Sequence, residues 1–343
     1  MGMSPRPERI LSQNWTISSW KRDIGQVLSS IVKFARVRII ATCLALVFLG
    51  SAAADDLTWK TLLAFVLIVA FTIHANSIND YADRDIDAIN LKDATDRPLV
   101  SKDITSAQFW GIHFGSALAL GLAAFYGWRA VFLTLAILFI DYIYSLKPLR
   151  VTDRTFAAPL LLAGAYTYYS FSLGFWSVES AQPYPWLLTA GLALGFVARL
   201  LLKDFRDVRG DKRHGKITFL LRFGPRITTA VSGLFWIVAM AAVVAATSFA
   251  SGVLVPLALG SVMVCAWLYE LAGVRNVDDQ QKLVVVIARA ANVAIITLLA
   301  YLLCWQRTDL SALELQAIPL ATGVALLGFN WLQNRKELHV KTN

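Results

Sequence analysis

The sequence predicts an all-α fold, a polytopic bundle of transmembrane helices. Three observations carry that expectation. The chain is 57% hydrophobic and 16% charged, with a mean hydropathy of +0.57, whereas soluble domains run near half apolar and a quarter charged. Ten apolar runs have about the length that a bilayer core demands. The basic residues sort almost wholly into alternate loops between those runs.

In chain order, residues 1–37 come first, a polar and basic segment. Within it Trp20, Ile24, Val27, Leu28 and Ile31 recur at helical spacing between basic residues, which predicts an amphipathic helix lying on the membrane surface. The first run, 38–54, ends in "GSAAADD", small residues that imitate a signal-peptidase site. The polar segment ahead of it is far longer than a signal n-region, so the run reads as a retained span. Further runs lie near 58–76, 107–126, 129–146, 155–177, 184–203, 227–249, 253–272 and 283–305. A tenth lies near 316–333. The expected organisation is therefore an interfacial segment over 1–37, a membrane domain over 38–305, and an extra span with a tail over 306–343.

The net charge of +9 would suit a nucleic-acid partner, but its placement in short loops of a membrane chain excludes one. Of the 32 Lys and Arg, 28 fall in the N-terminal segment, the loops after even-numbered runs, and the C-terminus, or, like Arg38, Lys203 and Arg289, in the adjoining ends of runs. The opposite side holds Lys60, Arg129 and Arg307, and Arg199 lies within run six. The positive-inside rule then puts both termini in the cytoplasm, and nine spans would strand Arg335, Lys336 and Lys341 outside. Cys43, Cys265 and Cys304 lie inside apolar runs without metal-ligand spacing, which argues against disulfides and zinc. Four scattered histidines form no cluster.

Acidic residues do cluster, in two places. "NSINDYADRDIDAIN" over 76–90 sets Asn79, Asp83 and Asp87 at i, i+4, i+8, one helical face over about 12 Å. "KDFRDVRGDKRHGK" sets Asp204, Asp207 and Asp211 at i, i+3, i+7, again one face. A lone acidic set at a helix end is commonly a solvated loop. Two sets with matching pairs, Asp83/Asp87 and Asp207/Asp211, both after even-numbered runs, point instead to a shared site. Oxygen-only ligands select a hard ion such as Mg²⁺, which keeps positions open for phosphate oxygens, so the two faces suggest a clamp on a diphosphate. Arg97 and Lys102 follow the first set, Tyr144, Lys147 and Arg150 end run four, and Lys203, Lys212 and Arg213 flank the second. Such cations neutralise phosphate oxygens that metals leave free. Asp85 falls off the shared face and reads as solvated. Polar groups inside spans, His74, Asn76, Asp141 and Asn292, are costly in lipid and should face a cavity or bond to a neighbouring helix.

At these residues the chain resembles the UbiA-type intramembrane prenyltransferase superfamily. Its signature NDxxDxxxD stands here as "NDYADRDID", and RPLxxGxIT as "RPLVSKDIT" with Lys102 where Gly is usual. YSxxPxRxK stands as "YSLKPLRVT" with Thr152 at the final Lys position, and KDxxDxxGDxxxGxxT is complete from Lys203 to Thr218. "LLRFG" follows it, as is usual in the family. Four elements in order span residues 76–224; the nine-helix family norm makes the tenth run a departure.

The resemblance implies a prenyl diphosphate held through Mg²⁺ between the motifs. Asn79, Asp83 and Asp87 would hold one ion and Asp207 and Asp211 the other, with Asp80 and Asp204 contributing directly or through water. Arg97, Tyr144, Lys147, Arg150 and Lys203 would contact the diphosphate, and the metals and basic groups would draw charge from it as it leaves. Asn76, Asp80 and Asp141 are candidates for the acceptor pocket. Tyr142, Tyr166, Tyr168, Tyr169, Phe171 and Trp176 are candidate aromatic walls for a carbocation-like prenyl group. The implied activity is prenyl transfer to a lipophilic acceptor, chiefly an aromatic ring on the way to a quinone. A glycerophosphate lipid, tetrapyrrole or phosphoribosyl acceptor, or terpene cyclisation, would use the same motifs. The expected setting is a bacterial plasma membrane with the site on its cytoplasmic face. A secondary transporter would instead carry midplane acids and repeated halves.

Overall fold

The computed structural model describes residues 17–54, 56, 58–90, 97–179, 182–306 and 309–339, without the side chains of 17–23, 90, 209 and 334–339. The N-terminal sixteen residues, Asp55, Arg307 and Lys341 therefore lie outside the description, as do the side chains of Trp20, Arg335 and Lys336. Among the described residues the chain is helical throughout and has no strand; Arg154 and Ile217 form one isolated bridge. The helices are α1 (Ile17–Ala35), α2 (Val37–Ala53), α3 (Trp59–Ala82), α4 (Arg84–Asn90), α5 (Ser106–Ala119) and α6 (Trp128–Ser145). They continue as α7 (Ala157–Phe175), α8 (Trp186–Arg213), α9 (Phe219–Ala246), α10 (Ser251–Gly273), α11 (Val277–Trp305) and α12 (Ala312–His339).

Each predicted run overlies one helix, α2, α3 and α5 to α12. Among the described residues eight spans are long and apolar enough to cross a membrane, α5 only together with the 3-10 stretch Leu120–Tyr126 that continues it; α2, at 17 residues, and α7 do not reach that measure. Polarity explains α7, whose centre reads Tyr166-Thr167-Tyr168-Tyr169-Ser170. These two weak spans pack on each other through small residues. A Cβ on Gly50 would sit 2.0 Å from the Phe171 carbonyl oxygen, and one on Gly174 would sit 1.9 Å from that of Val47. Lipid is as apolar as leucine, so helix association rests on such close backbone approach rather than on hydrophobic drive.

Outward faces are frankly apolar: Leu62, Leu118 and Phe132 are each more than 70% exposed, as suits a chain whose solvent is lipid. Exposed Trp59, Trp128 and Trp186 begin α3, α6 and α8, and exposed Trp305 ends α11. All four lie at one end of the bundle, where an amphipathic ring belongs at a membrane interface. The opposite ends of α3, α6 and α8 lead into the acidic and basic motifs.

Helix α1 differs from a purely peripheral amphipath. Ile24, Leu28 and Val32 stay exposed in a stripe, but Phe34 is fully buried with Ile73, Ile104 and Phe109. Lys33 pairs with Asp103 at 2.7 Å. The chain then turns through Arg36 in a left-handed conformation (φ 48°) into α2. Helix α9 is kinked at Gly224 (φ 77°) ahead of Pro225; its continuous apolar run begins only after Arg226, near 227. Helix α12 packs on α10 and α11, remote from the acidic motifs.

Candidate active site

Helix α3 carries Asn76, Asn79 and Asp80 to its C-terminal end, where Asp83 caps it (φ −100°, ψ 9°) and α4 restarts at Arg84. The break does not scatter the motif. Asp83 N–H donates to the Asn79 carbonyl at 2.9 Å, and Asp87 N–H to the Asp83 carbonyl at 2.8 Å. Helical bonding thus persists through the junction, and Asn79, Asp83 and Asp87 line one cavity. Asp85 points away, is exposed, and lies 3.6 Å from Arg84. Asp80 also turns from the cavity; it is 2% exposed and held by Arg36 and, at 3.4 Å, Arg97.

Helix α4 packs on α8, whose last turns bring Asp204, Asp207 and Asp211 to the same cavity. Lys212 and Arg213 in the final turn complement the negative end of the helix dipole. Gly215 (φ 68°) then reverses the chain, so that Lys216 folds back into the site. Its Nζ lies 3.3 Å from Asp83 and 3.4 Å from Asp211, joining the two acidic sets through one ammonium. The Lys216 pKa is raised: burial disfavours its charge, but Asp83 and Asp211 outweigh that. For Asp211 it is burial that prevails, raising its pKa against the pull of Lys216.

The cavity measures about 510 Å³. Arg97 donates through Nε to Asp87 at 2.7 Å, Arg206 makes two bonds to Asp207 at 2.8 and 3.1 Å, and Lys203 donates to the Tyr144 hydroxyl at 3.2 Å. Arg150, just beyond α6, reaches Asp83 at 2.5 Å and Asp153 at 2.8 Å. Thr155 donates to the Ile217 carbonyl at 2.7 Å, beside the Arg154–Ile217 bridge, and pins this loop to the second motif. Lys147, by contrast, is exposed and does not line the cavity. Lys102 is exposed too.

Among the described residues no three His, Cys, Asp or Glu side chains are gathered as a ready metal cage. Carboxylates this crowded need counter-charge, and Arg97, Arg150, Arg206 and Lys216 supply it. The donor set still suits a hard divalent ion: Asn79, Asp83, Asp87, Asp204, Asp207 and Asp211 offer only oxygen toward one cavity, which is the chemistry magnesium takes.

Deeper in the cavity the lining changes to Ala75, Leu162, Tyr166, Phe196, Val284 and Ala288. Of the aromatic candidates only Tyr166 lines it; Tyr169 and Phe171 are fully buried in the helix core. Tyr142, Tyr168 and Trp176 lie off the cavity as well. Asn76 lines it, but its amide donates to the Phe34 carbonyl at 2.9 Å and so ties α1 to α3. Asp141 lines it while bonded to His74, and Asn292 accepts from Arg199 at 2.8 Å. Sequence reasoning missed Arg36, Arg38, Arg199, Arg206, Lys216 and Gln281, all cavity-lining. Arg36 and Arg38 read as orientation signals beside a span. Arg199 had a usable signal, since it precedes Lys203 and Asp207 by one and two helical turns.

Residues 39–293 match the family model described as the UbiA prenyltransferase family. The chain belongs to that family. Among curated UbiA relatives, digeranylgeranylglyceryl phosphate synthase of Methanoregula boonei is 30% identical over 186 residues, 52% of this chain and 63% of that protein. The 2-acyl-4-prenylphloroglucinol 6-prenyltransferase of Humulus lupulus is 29% identical over 194 residues, 52% of this chain and 46% of that protein. The chain thus matches less than two thirds of either relative's length. A UbiA homologue from Archaeoglobus fulgidus, solved with DMAPP and Mg²⁺, superimposes with a TM-score of 0.53 at 15% identity, over 87% of this chain and 99% of that one. The likeness is one of fold.

Proposed function

We propose that this UbiA protein is a Mg²⁺-dependent integral-membrane prenyltransferase that moves a prenyl group from a prenyl diphosphate to a lipophilic acceptor. One observation carries the reading: two acidic sets more than 110 residues apart, with their basic neighbours, line one cavity whose deeper wall is apolar. A diphosphate with a greasy tail has that same division of character. The A. fulgidus homologue is described with such a compound and magnesium, which supports the assignment.

Asn79, Asp83 and Asp87 would hold one ion and Asp207 and Asp211 the other, with Asp204 between them. Magnesium bound there supplies Lewis acidity to the diphosphate oxygens. Arg97, Arg150, Lys203, Arg206 and Lys216 now sit on the acids or on Tyr144. On binding, these side chains exchange their present partners for phosphate, and they take up the charge that develops as the allylic C–O bond ionises. That electrostatic stabilisation is the largest expected contribution to rate. Tyr144 orients Lys203, while Tyr166, Phe196 and Leu162 keep water from the cationic prenyl carbon. Lys147, outside the cavity, has no part in this reading.

The acceptor is a lipophilic nucleophile. The two relatives' names imply a glyceryl phosphate in one case and a phloroglucinol ring in the other, so an aromatic quinone precursor is one acceptor class to test. The cytoplasmic side is the assigned face of the site, because the motif loops lie on the side that holds nearly all the basic residues.

The test is transfer by purified protein from geranylgeranyl diphosphate with Mg²⁺, read by mass spectrometry of lipids from reactions with hydroxyl and hydroquinone acceptors. Product formation should stop on chelation, and Asp83→Asn and Asp207→Asn should each lower it by about 100-fold or more. Turnover that is indifferent to metal and to both substitutions refutes the assignment.

A further inference from the structure

One buried polar group in this cavity is not explained by the diphosphate. Asp141, on α6, lines the cavity at 5% exposure and meets His74 of α3, Oδ2 to Nδ1, at 2.8 Å. His74 is fully buried, and its Nε2 has no hydrogen-bond partner. Its ring stacks on His113 at 4.4 Å between centroids. His113 is held at both nitrogens, Nδ1 by Ser77 and Nε2 by the Tyr142 hydroxyl, each at 2.8 Å. Helices α3, α5 and α6 therefore commit Asp141, His74, His113, Ser77 and Tyr142 to one place inside the membrane, where each is costly unless used.

Position and charge set Asp141 apart. It lies one helical turn deeper than Tyr144, and His74 lies five residues, about 7.5 Å, deeper than Asn79. Asp83, Asp87, Asp207 and Asp211 are held by Arg or Lys, and Asp204 adjoins Lys203 in sequence. The ion-pair contact of Asp141 is to an imidazole. A carboxylate bound to a guanidinium is a poor proton acceptor, whereas an aspartate–imidazole pair shares one proton and keeps a site open for a second.

We propose that the Asp141–His74 pair is the proton acceptor for the second substrate, and that this substrate attacks through a proton-bearing atom, a hydroxyl or an activated aromatic carbon. The inference rests on the prenyl-transfer reading above. The C1–O bond of the prenyl diphosphate breaks with its electron pair leaving on the diphosphate. A lone pair or ring π pair of the acceptor forms the new bond to C1, and the acceptor's proton passes to the Asp141 carboxylate while its bonding pair stays behind. His74 is a positioning residue: it holds the carboxylate through Nδ1, and the stack on His113 holds His74. A carboxylate acceptor would attack already ionised and would need no such base.

The experiment uses the full chain with Mg²⁺ and geranylgeranyl diphosphate, comparing wild type, Asp141→Asn and His74→Gln. Probes are geranylgeranylglyceryl phosphate as hydroxyl acceptor, a hydroquinone as ring acceptor, and oleate as carboxylate acceptor. Transfer, and diphosphate release without acceptor, are both measured. Asp141→Asn should lower kcat for hydroxyl or ring transfer by about 100-fold or more, leaving acceptor-free diphosphate release and the KM for prenyl diphosphate within about twofold of wild type. His74→Gln should lower kcat by a smaller factor at unchanged KM, and it carries the test should Asp141→Asn not fold. The proposal is overturned if both variants keep wild-type transfer, if transfer and acceptor-free release fall together, or if oleate is the one productive acceptor. A wild-type protein that releases diphosphate but prenylates none of the probes overturns it while leaving the diphosphate site standing. A wild type inert even in release removes the transfer reading and the proposal with it.

Discussion

Lys216 shows how a single residue changes meaning between chain and fold. In sequence it is one of several basic residues trailing the second motif; folded, it lies within 3.4 Å of an acid from each motif. Removing its charge leaves Asp83 and Asp211 facing the same space with less compensation, since Asp83 keeps Arg150 but Asp211 loses its salt bridge. Lys216→Met should therefore lower the thermal midpoint in chelator and recover a larger increment than wild type when Mg²⁺ is added. Ligand that binds the folded state alone raises stability, and here it would also replace the missing counter-charge. Equal increments in both proteins, measured by differential scanning fluorimetry in detergent, would count against a metal seat between these carboxylates. Arg36 is a second such case. It supports the almost fully buried Asp80 from the linker between α1 and α2, so Arg36→Ala should cost both stability and transfer. Loss of the exposed Lys147 side chain should instead leave transfer within about twofold, as surface substitutions generally do.

Among the elements, α2 and α7 are the informative pair. Neither is apolar and long enough to rank with the eight clear spans, yet they meet through Gly50 and Gly174 at backbone contact distance. Gly174→Val would drive a side chain into the Val47 carbonyl. With no hydrophobic gain available in lipid to offset the separation, the helices must part, and the thermal midpoint should drop by several degrees or more. Gly115→Val is the matched control, because a Cβ at Gly115 meets open space; its midpoint should stay near wild type. The junction of α3 and α4 teaches the complementary point. Periodicity alone treats Asn79, Asp83 and Asp87 as one unbroken helix, and the chain in fact caps α3 at Asp83. The face survives because the i+4 bonds run through the cap.

At the scale of the molecule, the bundle separates a tryptophan end from a charged end. That polarity yields a topology test. In a cysteine-free background, Arg213→Cys marks the charged end, just past the second acidic motif, and Val178→Cys marks the other, just past α7. The first should label with a membrane-impermeant maleimide from the cytoplasmic side and the second from the opposite side. Labelling of both positions from one side would overturn the orientation drawn from the basic loops. A C-terminal tag should sit with position 213 if α12 spans, and with position 178 if it lies on the surface.

The helices of the ten apolar runs, their order, and the two acidic faces were legible in the amino-acid sequence, because hydropathy and a 3.6-residue period are local properties that lipid reads directly. Charge asymmetry likewise separated the two loop sets without reference to any contact. What local pattern could not carry was the pairing of remote charges. Nothing near Lys216 says that it reaches Asp83 across more than 130 residues, nor does "LFIDYIYS" announce that Asp141 meets His74. Lys147 and Arg150, three residues apart in one loop, look equivalent on the chain; the left-handed turn at Arg150 sends one into the acids and leaves the other outside. Those choices are made by helix packing, because a buried charge settles on whichever partner the assembled helices bring within reach.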